Sequence, residues 1–311
     1  MEIATRDAYG KALVKLGKEN EKVVVLDSDL AKATKTIDFA KEFPDRFFDM
    51  GIAEANMISV AAGLATCGKI PFASTFAVFA TGRVYDQIRI SVCYPKNNVK
   101  IGATHAGITV GEDGASHQAL EDISLMRSLP NMTVIVPCDG IETEKAVFAA
   151  AAFNGPVYLR MGRPKIPVVV DENYKFEIGK GVILEEGADI SIIACGLMVY
   201  EALEASKLLK NEGINARVVN MATIKPIDQA LVIDCASKTG GIVTCEEHSI
   251  LGGLGSAVSE ILGEYFPVPM KRVGTKDKFG ESGEPKELLI KYGLDRADIV
   301  KAAKEVIKRK K

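Results

Sequence analysis

One carboxylate, Glu54, stands near the start of a run of apolar and small residues long enough for a helix, FFDMGIAEANMISVAAGLA (47–65). A glutamate in the first turn of a helix often does no more than complement the helix dipole. Here the neighbours include Ile52, Met57 and Ile58, which predict a partly dry pocket where a carboxyl retains a proton more readily. Such a carboxyl could share its proton with a ligand nitrogen, so Glu54 is a candidate for proton-transfer chemistry.

Two aromatic residues, Phe76 and Phe79, are three positions apart in ASTFAVFATGRVYDQIR (73–89). This spacing predicts that both rings share one face of a helix, where aromatic residues usually belong to the core. The preceding KIPFAST (69–75) is typical of a strand. An exposed pair at a strand end would instead form a stacking platform for a flat heterocycle, and both interpretations stay open.

A glycine-rich stretch, THAGITVGEDGASHQALED (104–122), gathers His105, Glu112, Asp113 and His117. These residues lack the helical H-E-x-x-H spacing of a zinc site, so the pattern favours a polyol or phosphate site over a metal centre. The alternative is a solvated turn in which His117 caps the next helix.

Two arginines, Arg160 and Arg163, follow a predicted strand in LRMGRPK (159–165). They could pair with surface acids or form a fork for a phosphate or carboxylate ligand. Another stretch, EEHSILGGLGSAV (246–258), superficially resembles a dinucleotide-binding fingerprint. It lacks the G-x-G-x-x-G spacing, so we expect close packing of a strand on a helix there.

Two α/β domains are predicted from alternating strand and helix patterns. Strand-like runs such as KVVVLD (22–27) alternate with helix-length segments, and the rhythm resumes at DISIIACG (189–196). This is typical of mainly parallel sheets covered by helices, whose ligands bind beyond the carboxyl ends of the strands. We expect a first domain over 1–165, a linker over 166–180 and a second domain over 181–311.

Composition excludes several function classes. The formal net charge of -2 offers no broad attraction for nucleic acid or an anionic membrane, and apolar runs end well before eighteen residues. The six cysteines form no C-x-x-C pair, which fits reduced thiols. The opening MEIATRDAYGKALVKLG lacks the pattern of a secretory signal, so we expect a helix there and a cytoplasmic protein.

Several stretches, taken in order, resemble the C-terminal half of transketolase, a thiamine-diphosphate enzyme, essentially from end to end. The resemblance implies a pyrimidine-binding domain followed by a transketolase C-terminal domain. It also implies transfer of a two-carbon ketol unit between sugar phosphates, as in the pentose phosphate pathway. The matching stretches are ATRDAYGKALVKLG, VVLDSDL, FPDRFFDMGIAEANM, FASTFAVFATGRVYDQIR, TVGEDGASHQALEDISLMRSLPN, DGIETEKAV, LRMGRPK and IKPIDQALVI.

The resemblance implies that four residues of these stretches bind the cofactor. Glu54 corresponds to the family glutamate that hydrogen-bonds pyrimidine nitrogen N1′ and promotes the imino tautomer needed to deprotonate the thiazolium carbon. Phe76 and Phe79 correspond to the aromatic residues around the pyrimidine ring, and Ile52 lies beside them as a further cofactor-binding residue. Glu54 is thus expected to be catalytic.

The resemblance also implies the substrate site. His105 and Arg163 correspond to residues that contact the sugar phosphate group, and Asp113 to one that contacts a substrate hydroxyl. His117 corresponds to another substrate contact, and we expect catalytic roles for both histidines. Arg6 corresponds to a second phosphate-binding arginine, and two arginines at the far end of a substrate would position its carbonyl.

One position departs from the family pattern. The family often has a phosphate-binding serine in the loop after VLDSDL, where this chain has Ala33. Either Thr34 substitutes for that serine or the phosphate is held less tightly. The chain length of the preferred sugar is therefore left open.

The family's G-D-G…N motif, which holds magnesium and the cofactor's diphosphate, does not occur in these 311 residues. We therefore expect a separate N-terminal transketolase-type subunit that supplies Mg²⁺ (or Ca²⁺) and the diphosphate site, in an α2β2 assembly. The alternatives are a subunit of a deoxyxylulose-phosphate synthase-like or 2-oxoacid dehydrogenase β-like enzyme, and a non-catalytic relict that retains only the dimerising fold.

Overall fold

Strands and helices alternate through the first half of the chain, and the computed structural model describes residues 1–310. The strands are β1 (Glu2–Ala4), β2 (Val23–Asp27), β3 (Phe47–Asp49), β4 (Ile70–Phe76), β5 (Lys100–Thr104), β6 (Thr133–Ile135), β7 (Val157–Arg160) and β8 (Lys165–Pro167). The helices are α1 (Thr5–Glu19), α2 (Ala31–Thr34), α3 (Ile37–Glu42), α4 (Glu54–Thr66), α5 (Ala77–Thr81), α6 (Tyr85–Gln87), α7 (Asp122–Ser128) and α8 (Gly140–Ala152). Short 3₁₀ helices span Pro44–Arg46 and Ile108–Asp113, and a π-helix spans Ile88–Cys93.

The second half repeats the alternation. Its strands are β9 (Val182–Glu185), β10 (Ile190–Ala194), β11 (Ala216–Asn220), β12 (Thr223–Lys225), β13 (Ile242–Ser249) and β14 (Met270–Thr275). Its helices are α9 (Met198–Asn211), α10 (Gln229–Thr239), α11 (Leu254–Tyr265), α12 (Pro285–Lys291) and α13 (Arg296–Ile307).

Two open sheets organise these elements. The larger has the order β12-β6-β7-β5-β4-β2-β3, and only β12 runs antiparallel to its neighbour. The smaller has the order β14-β13-β10-β11-β9, and only β9 is antiparallel. Every residue of β2, β5 and β10 is buried, as expected for parallel strands covered on both faces. The predicted α/β fold with mainly parallel sheets is confirmed.

The two halves interlock. Strand β12 comes from the second half, yet Thr223 pairs with Ile135 of β6 and extends the first sheet. Strands β1 and β8 form a separate antiparallel pair, in which Ala4 lies opposite Lys165. This pair holds the start of α1 beside the loop that follows β7, and so sets the geometry of the site described below.

Several helices begin at an aspartate, because its carboxylate can accept a backbone N–H that the first turn leaves unpaired. Asp139 accepts from the amide of Glu142 at the start of α8. Asp228 and Asp295 do the same for α10 and α13. Within residues 1–310, none of the helices is both long and apolar enough to cross a membrane.

Candidate active site

Glu54 is the first residue of α4 and is 5% exposed. Its Oε1 accepts a hydrogen bond from Nη1 of Arg83 at 2.9 Å. A charged guanidinium thus lies directly against this carboxyl group. The predicted apolar pocket is therefore only half right. Met57 and Ile58 are buried in the helix packing, but Ile52 precedes the helix and is 77% exposed.

Phe76 and Phe79 belong to different elements, so the predicted shared helical face is wrong. Phe76 ends β4 with an extended backbone, and Phe79 lies in α5, which follows without a loop. Their rings stack with centroids 6.0 Å apart and planes 15° apart. Phe76 is buried, whereas Phe79 is partly exposed and the guanidinium of Arg83 lies 3.9 Å above its ring. Phe79 therefore presents a stacking face next to the Glu54 carboxylate.

His105 follows β5 and links the aromatic pair to a basic cluster. Its ring stacks on Phe76 with centroids 3.8 Å apart. Its Nε2 lies 2.9 Å from Nη1 of Arg6, and its Nδ1 lies 2.9 Å from Oγ1 of Thr104. Burial, then the charges of Arg6 and Arg163, lower the pKa of His105 to about 3. The ring is therefore neutral near pH 7, with Nε2 accepting from Arg6 and the proton on Nδ1.

Arg163 reaches the glycine-rich loop from the loop that follows β7. Its Nη1 donates to Oε2 of Glu112 at 2.8 Å and lies 3.8 Å from Oδ2 of Asp113. The same nitrogen donates to the carbonyl of Val110. Arg163 and Asp113 both remain partly exposed, so they can exchange these contacts for contacts with a polar ligand.

His117 contacts the aromatic pair from the same loop. Its ring meets Phe79 edge-on with centroids 5.5 Å apart, and Phe76 with centroids 6.1 Å apart. Its Nδ1 lies 2.8 Å from Oγ of Ser116. The alternative in which His117 caps the next helix is wrong, because α7 begins at Asp122 without a side-chain cap.

These contacts join the predicted residues into one site beyond the carboxyl ends of β4, β5 and β7. A carboxylate and an aromatic face stand at one end, and two guanidinium groups stand toward the other. The carboxylate and the aromatic face suit a flat basic ring of a ligand, and the two guanidinium groups suit an anionic group. The predicted residues that it contains are Arg6, Glu54, Phe76, Phe79, His105, Asp113, His117 and Arg163.

Thr34 cannot take the place of the family serine. Its hydroxyl is buried and donates to Oδ2 of Asp27 at 2.7 Å, because the turn of α2 directs it toward β2. Ala33 has no polar side chain, and its backbone carbonyl accepts from Nη1 of Arg6 in the basic cluster at 3.4 Å. Of the two alternatives left open by the sequence, substitution by Thr34 is wrong.

Arg160 also lies outside the site. Its guanidinium is buried and forms two hydrogen bonds with Asp122, at 2.7 and 3.1 Å. Tyr158 donates to the same carboxylate at 2.7 Å. Arg160 is the last residue of β7 and points into the packed interior, so the ligand fork suggested by its spacing from Arg163 is not formed.

The glycine-rich stretch after β13 packs closely on the helix that follows, as predicted. A Cβ on Gly253 would lie 1.9 Å from Oε2 of Glu246, and the Glu246 carboxylate accepts the amides of Leu254 and Gly255 at 2.7 and 2.8 Å. Within the 310 described residues, no group of three or more His, Cys, Asp or Glu is arranged to hold a metal ion. The six cysteines are free thiols.

Two contacts within the candidate site were missed by sequence reasoning. Arg83, which contacts both Glu54 and the ring of Phe79, lies in the turn between α5 and α6, where no helical spacing indicates these contacts. Glu112 was predicted as part of the loop but not as the partner of Arg163. Its pKa is lowered, first by a backbone hydrogen bond and then by the Arg163 charge.

Comparisons with known proteins agree with this architecture. Residues 1–168 match the family model of the transketolase pyrimidine-binding domain, and residues 179–299 match that of the transketolase C-terminal domain. The chain is 52% identical to a putative transketolase C-terminal section of Methanocaldococcus jannaschii, covering 98% of this chain and 96% of that one. It is 46% identical to a 6-deoxy-6-sulfo-D-fructose transketolase subunit of Clostridium sp., covering 98% and 95%.

Longer relatives and a solved structure give the same result. The human transketolase is 41% identical over 98% of this chain, which spans only 49% of the human protein. A solved structure described as a split-gene transketolase in an inactive β4 tetramer is 58% identical, with a TM-score of 0.94, and covers 99% of this chain and 100% of that one. The chain therefore belongs to the transketolase family.

Proposed function

We propose that this chain is the C-terminal-type subunit of a split, thiamine-diphosphate-dependent transketolase that transfers a two-carbon ketol unit between sugar phosphates. The observation that carries the proposal is the contact of Arg83 with both Glu54 and Phe79. A flat cationic group there stacks on an aromatic ring while it donates to a carboxylate. An aminopyrimidine ring can form the same two contacts, so these residues fit the cofactor.

Glu54 would exchange its hydrogen bond with Arg83 for one with the pyrimidine nitrogen, and would share a proton with that nitrogen. Its position at the N-terminus of α4 keeps it anchored while it exchanges one hydrogen-bond partner for another. Phe79, the buried Phe76 behind it and the exposed Ile52 would flank the ring. Thiamine diphosphate, when bound, supplies the stabilised carbanion chemistry that side chains lack.

The basic cluster would hold the sugar phosphate. The positive charges of Arg6 and Arg163 lie close enough to His105 to lower its pKa. Both arginine side chains are partly exposed. Asp113 would accept a substrate hydroxyl. His117, whose ring contacts both phenylalanines, would hold a proton at a substrate oxygen close to the reacting carbon. His105, which accepts from Arg6, would lie with that arginine at the phosphate. Anchoring the far end of the substrate then positions its carbonyl.

The diphosphate and Mg²⁺ (or Ca²⁺) would be held by an N-terminal transketolase-type partner, in an α2β2 assembly. Relatives that match almost end to end support this proposal, because one is named a C-terminal section and another a subunit. A third such relative, from Phocaeicola vulgatus, is named as one of the subunits of an apulose-4-phosphate transketolase. The β4 tetramer of the split-gene protein supports self-association of chains of this kind.

The alternative thiamine-diphosphate reactions are not favoured, since the relatives described above bear transketolase names. The non-catalytic alternative is tested by Glu54→Gln in the complex with a partner subunit. We expect ketol transfer to fall by at least about a hundredfold, because an amide cannot exchange a proton with the pyrimidine. Glu144→Gln is the matched control, because Glu144 forms only an exposed ion pair with Lys15. Equal rates for the two variants would refute the catalytic assignment.

A further inference from the structure

The second half of the chain contacts the glycine-rich loop through residues that have no part in the proposed substrate site. We call residues 105–118 the substrate loop. Glu247, near the end of β13, is buried, and its Oε1 accepts the backbone amide of Thr109 at 2.7 Å. The carboxyl fills the space beside Gly107, where a Cβ would lie 2.2 Å from its carbon. Gly107 also has a φ of +85°, which favours glycine.

Gln118 makes a second connection at the other end of the loop. Its Nε2 donates to the carbonyl oxygens of Ile108 at 3.0 Å and Gly111 at 3.3 Å, which hold the loop in its folded turn. The same nitrogen lies 2.9 Å from the carbonyl oxygen of Glu281, in the segment before α12. One buried amide therefore joins the substrate loop to the second half.

Arg160 makes the base of this arrangement rigid. While held by Asp122, its Nη2 also donates to the backbone carbonyls of Glu247 at 2.9 Å and Ala119 at 3.3 Å. A backbone hydrogen bond from Ser249 to Leu120 adds a further link. The guanidinium of Arg160 thus links the end of β13 to the residues at the end of the substrate loop.

We propose that Glu247 and Gln118 are positioning residues, through which the second domain holds His105, Asp113 and His117 in the geometry that meets the substrate. The identity of that substrate rests on the proposed function. The contacts that Glu247 and Gln118 make with the loop lie within this chain and do not depend on the proposed function. The C-terminal domain accordingly has a role in the site besides any role in assembly.

The sharpest perturbation is Glu247→Ala. It leaves the buried amide of Thr109 without an acceptor and opens a void beside Gly107. We expect the KM for the acceptor sugar phosphate to rise about tenfold or more, since small misplacements of positioning groups cost up to about a hundredfold. Glu247→Gln keeps an acceptor oxygen and the same shape, so it should restore most of the KM.

Glu246→Ala is the matched control. Glu246 is the preceding residue and is also buried, but its carboxylate holds the start of α11. Loss of that cap should lower thermal stability, as Glu247→Ala also should, while the KM stays near that of the wild type. Gln118→Met tests the second connection and replaces Glu247→Ala if the latter does not fold.

Hydrogen–deuterium exchange and steady-state kinetics together decide the proposal, on the full chain alone and in the complex with its partner. We expect faster exchange in residues 105–118 for Glu247→Ala and Gln118→Met, and wild-type exchange there for Glu246→Ala. The proposal would be overturned if neither Glu247→Ala nor Gln118→Met changed the exchange in residues 105–118. It would also be overturned if Glu246→Ala raised the KM as much as Glu247→Ala does. If the wild-type complex lacks ketol transfer, the proposed function fails. The hydrogen–deuterium exchange alone then decides whether the C-terminal domain holds the substrate loop in place.

Discussion

Removal of the Arg83 side chain should strengthen cofactor binding. Arg83 contacts Glu54 at 2.9 Å and covers the ring of Phe79 at 3.9 Å, the two groups proposed for the pyrimidine. The ion pair is half exposed on the arginine side, so it contributes about 0.5–1 kcal/mol, and the cation–π contact contributes about 0.5–1 kcal/mol. The cofactor must displace both contacts. Arg83→Ala should therefore lower the Kd for thiamine diphosphate by about 5- to 30-fold.

Calorimetric titration of thiamine diphosphate with Mg²⁺ into the assembled complex measures this change. Arg83→Lys keeps the charge but loses the flat stacking group, so its Kd should fall by a smaller factor. Arg89→Ala removes an exposed arginine six residues later and serves as the control. Weaker binding by Arg83→Ala would refute the reasoning, because it would mean that Arg83 contacts the bound cofactor and is not displaced by it.

Three further predictions concern the phosphate site and the core. Ala33→Ser should lower the KM for sugar phosphates by about two- to tenfold in steady-state assays, by adding one hydrogen bond, and an unchanged KM would contradict this. Thr34→Val should reduce the free energy of unfolding by about 1–3 kcal/mol in urea titrations, because it removes the donor to Asp27; equal stability would be the contrary result. Burial lowers the pKa of His248 from 6.5 to about 4, so the unfolded chain binds its proton first as the pH falls. Stability of up to about 3 kcal/mol should be lost between pH 6.5 and 4, and a His248→Gln variant with the same slope would contradict this.

The fold was largely predictable from the sequence because buried parallel strands are continuous apolar runs. VVVLD and ISIIA became β2 and β10 within a residue or two of the expected bounds. Strand β12 was not predicted, because TIK carries no such pattern and its pairing with β6 arises only from the contact between the two halves.

The candidate site was predictable in its residues but less so in its contacts. Spacing alone treated Phe76 and Phe79 as one helical face, because it cannot show that a strand ends between them. The ion pair of Arg83 with Glu54 joins side chains 29 residues apart, a distance at which no local periodicity operates. Glu247 lies at a strand end, the place where α/β sheets carry function, but its contact with the substrate loop depends on how the second sheet packs.

The central claim is that this chain contributes half of a transketolase active site. The most direct test measures ketol transfer from xylulose 5-phosphate to ribose 5-phosphate with thiamine diphosphate and Mg²⁺, for the chain alone and mixed with an N-terminal transketolase-type subunit. We predict turnover only in the mixture, and its loss when the mixed chain carries Glu54→Gln. A mixture that forms a stable complex yet shows no ketol transfer would contradict the account.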